Sequence, residues 1–72
     1  MMDEPDALAP LLAARIRRER EARGWSIATL AETSGVSRAM ISKVERGEAS
    51  PTAALLGRLS GALGLTVSAL LA

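Results

Sequence analysis

The chain contains no cysteine, histidine, tyrosine or phenylalanine, and its one aromatic residue is Trp25. Without cysteine, disulfide bonds and zinc-thiolate sites are excluded. Without histidine, the usual proton shuttle and the commonest metal ligand are missing. The scarcity of aromatic rings also excludes most stacking platforms for single-stranded nucleic acid. The remaining Asp, Glu, Ser and Lys form no convincing catalytic pair, so we predict no enzyme, no metal site and no cofactor.

Long hydrophobic runs are missing as well. No apolar stretch approaches the roughly 18 residues that a membrane span needs. The chain begins with three acidic residues in its first six positions, which is unlike a signal peptide. We therefore expect a cytoplasmic protein without a membrane partner.

The residues that are present favour helices. Of the 72 residues, 49% are hydrophobic, mainly Ala, Leu and Ile, whereas aromatic residues and other strand formers are scarce. The pattern predicts one small all-α domain at residues 8–72, preceded by a disordered acidic tail at residues 1–7. Its helices are expected at about residues 8–23, 26–34, 37–46, 51–63 and 66–71.

Helix boundaries are the most informative local signals. Ser26, Ser37 and Ser50 are predicted N-caps, the last with Pro51 in the first helical position. Gly35 is predicted to end the second helix, so that only Gly35-Val36-Ser37 separates it from the third. So short a turn forces a large crossing angle, which is the layout of a helix-turn-helix. Purely structural bundles also contain such helix pairs.

The third helix is predicted to have two different faces. Met40, Ile41 and Val44 fall on one side, which can be buried. The opposite side carries hydrogen-bond donors and a small methyl group, and we predict that it contacts DNA. Residues 15–46 contain eight basic and four acidic residues, an excess that fits a polyanionic partner. Ordinary solvated helix faces give the same charge count.

From Ile16 to Leu71 the chain resembles the Cro/repressor-type helix-turn-helix domains of the XRE family of bacterial and phage transcription regulators. The matching residues are Leu30-Ala31, Gly35-Val36-Ser37, Ile41-Ser42-Lys43-Val44-Glu45-Arg46-Gly47, Ser50-Pro51-Thr52, Leu55-Leu56 and Ala62-Leu63-Gly64-Leu65-Thr66-Val67. The resemblance implies a five-helix, lambda-repressor-like bundle. Its helices 2 and 3 would form the helix-turn-helix, and its third helix, residues 37–46, would enter the major groove of double-stranded DNA.

The resemblance also implies roles for individual residues. Those expected to contact bases are Arg38, Ala39, Ser42 and Lys43. Those expected to lie along the phosphates are Ser26, Ile27, Ser37, Met40, Arg46, Ala49 and Ser50. Arg20 and Glu45 would form a structural ion pair. One residue departs from the family pattern, because many relatives carry glutamine where this chain has Ile27, so a side-chain contact to phosphate is lost there.

A single copy offers few base contacts, so we expect a homodimer on a pseudo-palindromic operator. Trp25 and Ile27 resemble the family members in which a cupin-type sensor domain follows, and the apolar end of the chain is typical of a domain within a longer protein. The alternative function is an antitoxin-like or partner-binding interaction module, using the apolar surface of helices 4 and 5.

Overall fold

The structure, a computed structural model, describes residues 8–72, and all of its regular elements in that range are α-helices. In chain order they are α1 (Leu8–Ala22), α2 (Ile27–Ser34), α3 (Arg38–Glu45), α4 (Ala53–Ala62) and α5 (Val67–Leu71). The predicted all-α, five-helix architecture is confirmed. The predicted acidic tail lies outside the described residues.

The turn between α2 and α3 forms as its residues predict. The Ser37 hydroxyl accepts a hydrogen bond of 3.1 Å from the Met40 amide and caps α3. Gly35 has φ 74°, and its amide donates to the Ala31 carbonyl at 2.9 Å. This left-handed conformation is cheap only without a Cβ. Three residues are therefore enough to change the direction of the chain between the two helices.

The predicted start of the fourth helix is wrong by two residues. α4 begins at Ala53, and its N-cap is Thr52, whose hydroxyl accepts from the Leu55 amide at 3.1 Å. Ser50 does not cap this helix. Both residues are good capping types, and residues 50–52 form no regular element before the helix begins. The first helical turn consequently forms after the second candidate cap.

α3 is held from two sides. It packs against α1 and α2, while α2 also packs against α4, and α5 packs against α1 and α4. Ile41 and Val44 point into the core, which also contains Leu12, Ile16, Leu30, Val36, Leu59, Leu63 and Leu70. Trp25, at the start of α2, is partly buried against the same cluster. One face of α3 is thereby fixed, and the opposite face remains open.

Met40 does not belong to the buried side of α3, contrary to the sequence pattern. It is 36% exposed. Ile41 and Val44, three residues apart, define the buried stripe, and Met40 lies at its edge. Its side chain is therefore available at the surface beside the start of the helix.

Within residues 8–72, no helix is both long and apolar enough to cross a membrane.

Candidate nucleic-acid interface

The outward face of α3 carries the four residues predicted to contact bases. Arg38, Ala39 and Lys43 are exposed, and Ser42 is partly buried. Because Ile41 and Val44 turn inward, these four side chains share the open side of the helix. Among the described residues, neither Arg38 nor Lys43 forms an ion pair or a hydrogen bond through its side chain. Their donors are free to meet a ligand.

Ser42 and Arg46 are joined to each other and to an acidic residue. Arg46 holds the Glu48 carboxylate with both arms of its guanidinium, at 2.9 Å from Nε and 3.1 Å from Nη2. Its third nitrogen donates to the Ser42 hydroxyl. The hydrogen-bonded carboxylate raises the pKa of Arg46, and Arg46 lowers the pKa of Glu48. Arg46, a predicted phosphate contact, and Ser42, a predicted base contact, therefore each have a hydrogen-bond partner within the domain that a contact to DNA would replace.

Glu48 is not among the residues that the sequence predicts for this surface. A signal for it was present, because an acidic residue two positions after a predicted phosphate-contacting arginine can fold back onto that arginine.

The structure brings Arg20 and Glu45 together. Two hydrogen bonds of 2.8 and 2.9 Å join the guanidinium to the carboxylate, and Arg20 also donates to the Trp25 carbonyl at 2.8 Å. The two side chains are only 11% and 6% exposed. The hydrogen-bonded carboxylate raises the pKa of Arg20. This pair fixes the C-terminal end of α3 to α1, and it thereby helps to set the orientation of α3 relative to the rest of the domain.

The residues predicted to contact phosphates flank α3. On one side, Ile27 at the start of α2 lines a groove with Ser42 and Arg46. Ile27 packs against the core, so a phosphate there would meet backbone amides and not this side chain. Ser26, the N-cap of α2, is exposed.

On the other side, Ser37 and Met40 line a second groove together with the start of α4. Ser50 is exposed before this helix, whereas Ala49 is partly buried. The predicted phosphate contacts thus lie at the beginnings of α2 and α3, at the C-cap of α3 and in the loop before α4.

Within residues 8–72, no three His, Cys, Asp or Glu side chains are grouped so that they could hold a metal ion.

Comparison with known proteins gives the family. Residues 16–70 match the helix-turn-helix family HTH_3. The chain belongs to this family. The match begins within α1 and includes the capped turn at Gly35 and the whole of α3, so the fold that presents the open face is the family's own.

Three relatives illustrate the similarity. The HTH-type transcriptional regulator SutR of Escherichia coli (strain K12) is 43% identical over 61 residues, which are 85% of this chain and 34% of SutR. An HTH_3 family transcriptional regulator from Vibrio cholerae superposes with a TM-score of 0.84 at 36% identity, over 88% of this chain and 35% of that one. The restriction-modification controller protein C.AhdI from Aeromonas hydrophila gives a TM-score of 0.83 at 32% identity, over 86% of this chain and 94% of its own.

The relatives are named as regulators or controllers. At the level of the family, the prediction of a DNA-binding domain of a transcription regulator, and not an enzyme, is confirmed. The chain spans about a third of the length of the E. coli and V. cholerae proteins.

Proposed function

We propose that this domain binds double-stranded DNA sequence-specifically by placing α3 in the major groove. The observation that carries the proposal is the open face of α3. The side chains of Arg38 and Lys43 are exposed there and form no ion pair or hydrogen bond with the residues that the structure describes, while the opposite face is anchored by Ile41 and Val44. A helix that packs one face against the core and exposes unpaired hydrogen-bond donors on the other has the geometry of a recognition helix.

Each side chain on this face has a chemical role. Arg38 and Lys43 donate to O6 and N7 of guanine, and each good pair contributes about 1–3 kcal/mol of discrimination against other bases. Ala39 contacts a thymine methyl group, and Ser42 donates or accepts. Ser26, Ser37, Met40, Arg46 and the loop with Ala49 and Ser50 lie along phosphates and position the helix.

Four base-contacting residues are few for tight specific binding. The domain therefore acts as a homodimer on a pseudo-palindromic operator with half-sites about one helical turn apart. The relatives from E. coli and V. cholerae are about three times as long as the aligned region. Their length supports a further domain in the full-length regulator, and we propose a C-terminal sensor of the cupin type. A role in transcription regulation supports a cytoplasmic location.

A protein-interaction surface on helices 4 and 5 has less support. Leu55, Leu56 and Leu65 pack against the core, so little of the expected apolar surface is exposed. Of the large apolar residues on α4 and α5, only Leu71 is markedly exposed, at 45%.

Two substitutions test the proposal. Arg38→Ala should weaken binding to a duplex selected from a random pool by about 5- to 150-fold, which corresponds to 1–3 kcal/mol, while binding to random duplexes changes little. Arg46→Ala should weaken binding to both duplexes alike, because phosphates carry no sequence information. Fluorescence anisotropy with labelled duplexes measures both effects. Equal losses on both duplexes for both variants would show that α3 is not the recognition helix.

A further inference from the structure

Arg58 lies on α4, outside the helix-turn-helix, and faces the start of α3 across an open groove of about 370 Å³. Ser37 and Met40 form one wall of this groove, and Thr52, Leu55 and Arg58 line the other. Its lining contains no acidic residue. The two grooves at the far end of α3 differ, because the acidic residue Glu45 lines both of them.

The guanidinium of Arg58 is exposed and has no ion pair or hydrogen bond among residues 8–72. Its Nη1 atom lies 3.6 Å from the position that a Cβ on Gly35 would take. The positive charge of Arg58 therefore lies beside Gly35, in the turn that leads into α3 and two residues before Ser37. Arginine suits phosphate recognition because its planar fork can give two parallel hydrogen bonds.

We propose that Arg58 binds a phosphate of the DNA backbone at the start of α3. The inference rests on the proposed function: a phosphate that contacts Ser37 or Met40 lies across the groove from Arg58, within reach of a long side chain. α4 then contributes a charged contact of its own to the interface. The contact is independent of sequence and strengthens binding to all duplexes.

A purely structural role makes a different prediction. Arg58 lies close to the C-terminal end of α2, whose carbonyl groups carry partial negative charge. If that interaction were its purpose, removal of the charge would lower the stability of the domain and leave the electrostatics of DNA binding unchanged.

The experiment compares Arg58→Gln with Arg58→Lys and with Arg18→Gln. Arg18 is the matched control, because it is also exposed and without an ion pair or hydrogen bond among the described residues, but lies on α1. Affinity for a labelled mixed-sequence duplex of about three helical turns is measured by anisotropy from 50 to 200 mM salt. Thermal melting of each variant is followed by circular dichroism.

Loss of one phosphate contact reduces the log–log salt slope by about 0.9, so the affinity deficit of Arg58→Gln should shrink by about 3.5-fold between 50 and 200 mM salt. Arg58→Lys should retain most of the slope, and Arg18→Gln should change it less than Arg58→Gln does. An unchanged slope for Arg58→Gln, or equal changes for Arg58→Gln and Arg18→Gln, would overturn the inference. If the unsubstituted chain binds no duplex at any salt concentration, the proposed function itself fails, which is a distinct result.

Discussion

Two groups of basic residues in this domain differ in what their charges contact. The first group belongs to α1 and the residue after it, where four of five arginines bond to carboxylates or carbonyl oxygens of the domain: Arg15, Arg17, Arg20 and Arg23. The second group belongs to α3 and its C-cap, where, among residues 8–72, Arg46 forms an ion pair and the side chains of Arg38 and Lys43 form neither an ion pair nor a hydrogen bond. The charge that can meet DNA is therefore much smaller, and more localised, than the charge counted along the chain.

The arginines of α1 reach the ends of other helices. Arg23 donates through Nη2 to the carbonyl of Leu63, the C-cap of α4, at 2.6 Å, and through Nη1 to Glu19 at 2.9 Å. Arg15 donates to the carbonyl of Ala72, just after α5, at 3.0 Å. A cation at a helix C-terminus meets the negative end of the helix dipole. α1 thus ties together the elements that support α3, and substitutions in the two groups should separate stability from DNA binding.

The largest expected effect is at the buried pair. Arg20→Ala leaves the Glu45 carboxylate buried without its partner, and we expect a loss of about 3–5 kcal/mol in the free energy of unfolding. Arg17→Ala is the control, because the Arg17–Glu21 pair is exposed at 62% and 56%. It should cost less than about 1 kcal/mol. Urea denaturation measures both, and similar losses would show that burial does not distinguish the two pairs.

Arg23→Ala should have the second largest effect. The Leu63 carbonyl loses a charged donor, so we expect the free energy of unfolding to fall by about 1–3 kcal/mol. The salt dependence of DNA binding should stay unchanged, because this charge is already used inside the domain. Arg18→Ala, which removes an arginine without such a bond, should change stability by no more than about 0.5 kcal/mol. A flatter salt slope for Arg23→Ala would place Arg23 in the DNA-binding group instead.

The local parts of this architecture could be predicted from the sequence. Ser37 and Gly35 determine the turn through their own chemistry, and Ile41 and Val44 fix the buried side of α3 by their spacing. The start of α4 could not be predicted as securely, because Ser50 and Thr52 are both good caps by residue type.

Charge pairing shows the same division. Pairs four residues apart on α1, such as Arg15 with Glu19, follow from helical spacing. The bond from Arg23 to Leu63 joins residues 40 positions apart, and the placement of Arg58 beside Gly35 also depends on how α4 packs. Which basic residues remain free for DNA is therefore a property of the tertiary fold, and composition alone overstates the number.

The smallest effect concerns Arg46, the member of the second group that has an internal partner. If Arg46 contacts a phosphate as proposed, that phosphate replaces Glu48, because the carboxylate already accepts hydrogen bonds from Nε and Nη2 of the guanidinium. The pKa of Glu48 is lowered by Arg46, so the carboxylate stays ionised and competes at neutral pH. Glu48→Gln should tighten binding to all duplexes by about two- to fivefold, a size expected from the weakness of exposed ion pairs.

Glu32→Gln separates this exchange from a change in net charge. Glu32 is exposed on α2, and its side chain forms no ion pair or hydrogen bond with other described residues, so its substitution removes the same charge without releasing an arginine. Anisotropy at a fixed salt concentration should show a larger gain for Glu48→Gln. If Glu48→Gln instead weakens binding, the carboxylate serves to hold Arg46 and Ser42 in place. Arg46 would then belong with the arginines of α1, whose charge acts within the domain, and the exposed donors of Arg38 and Lys43 would be the charges of the α3 group left to meet DNA.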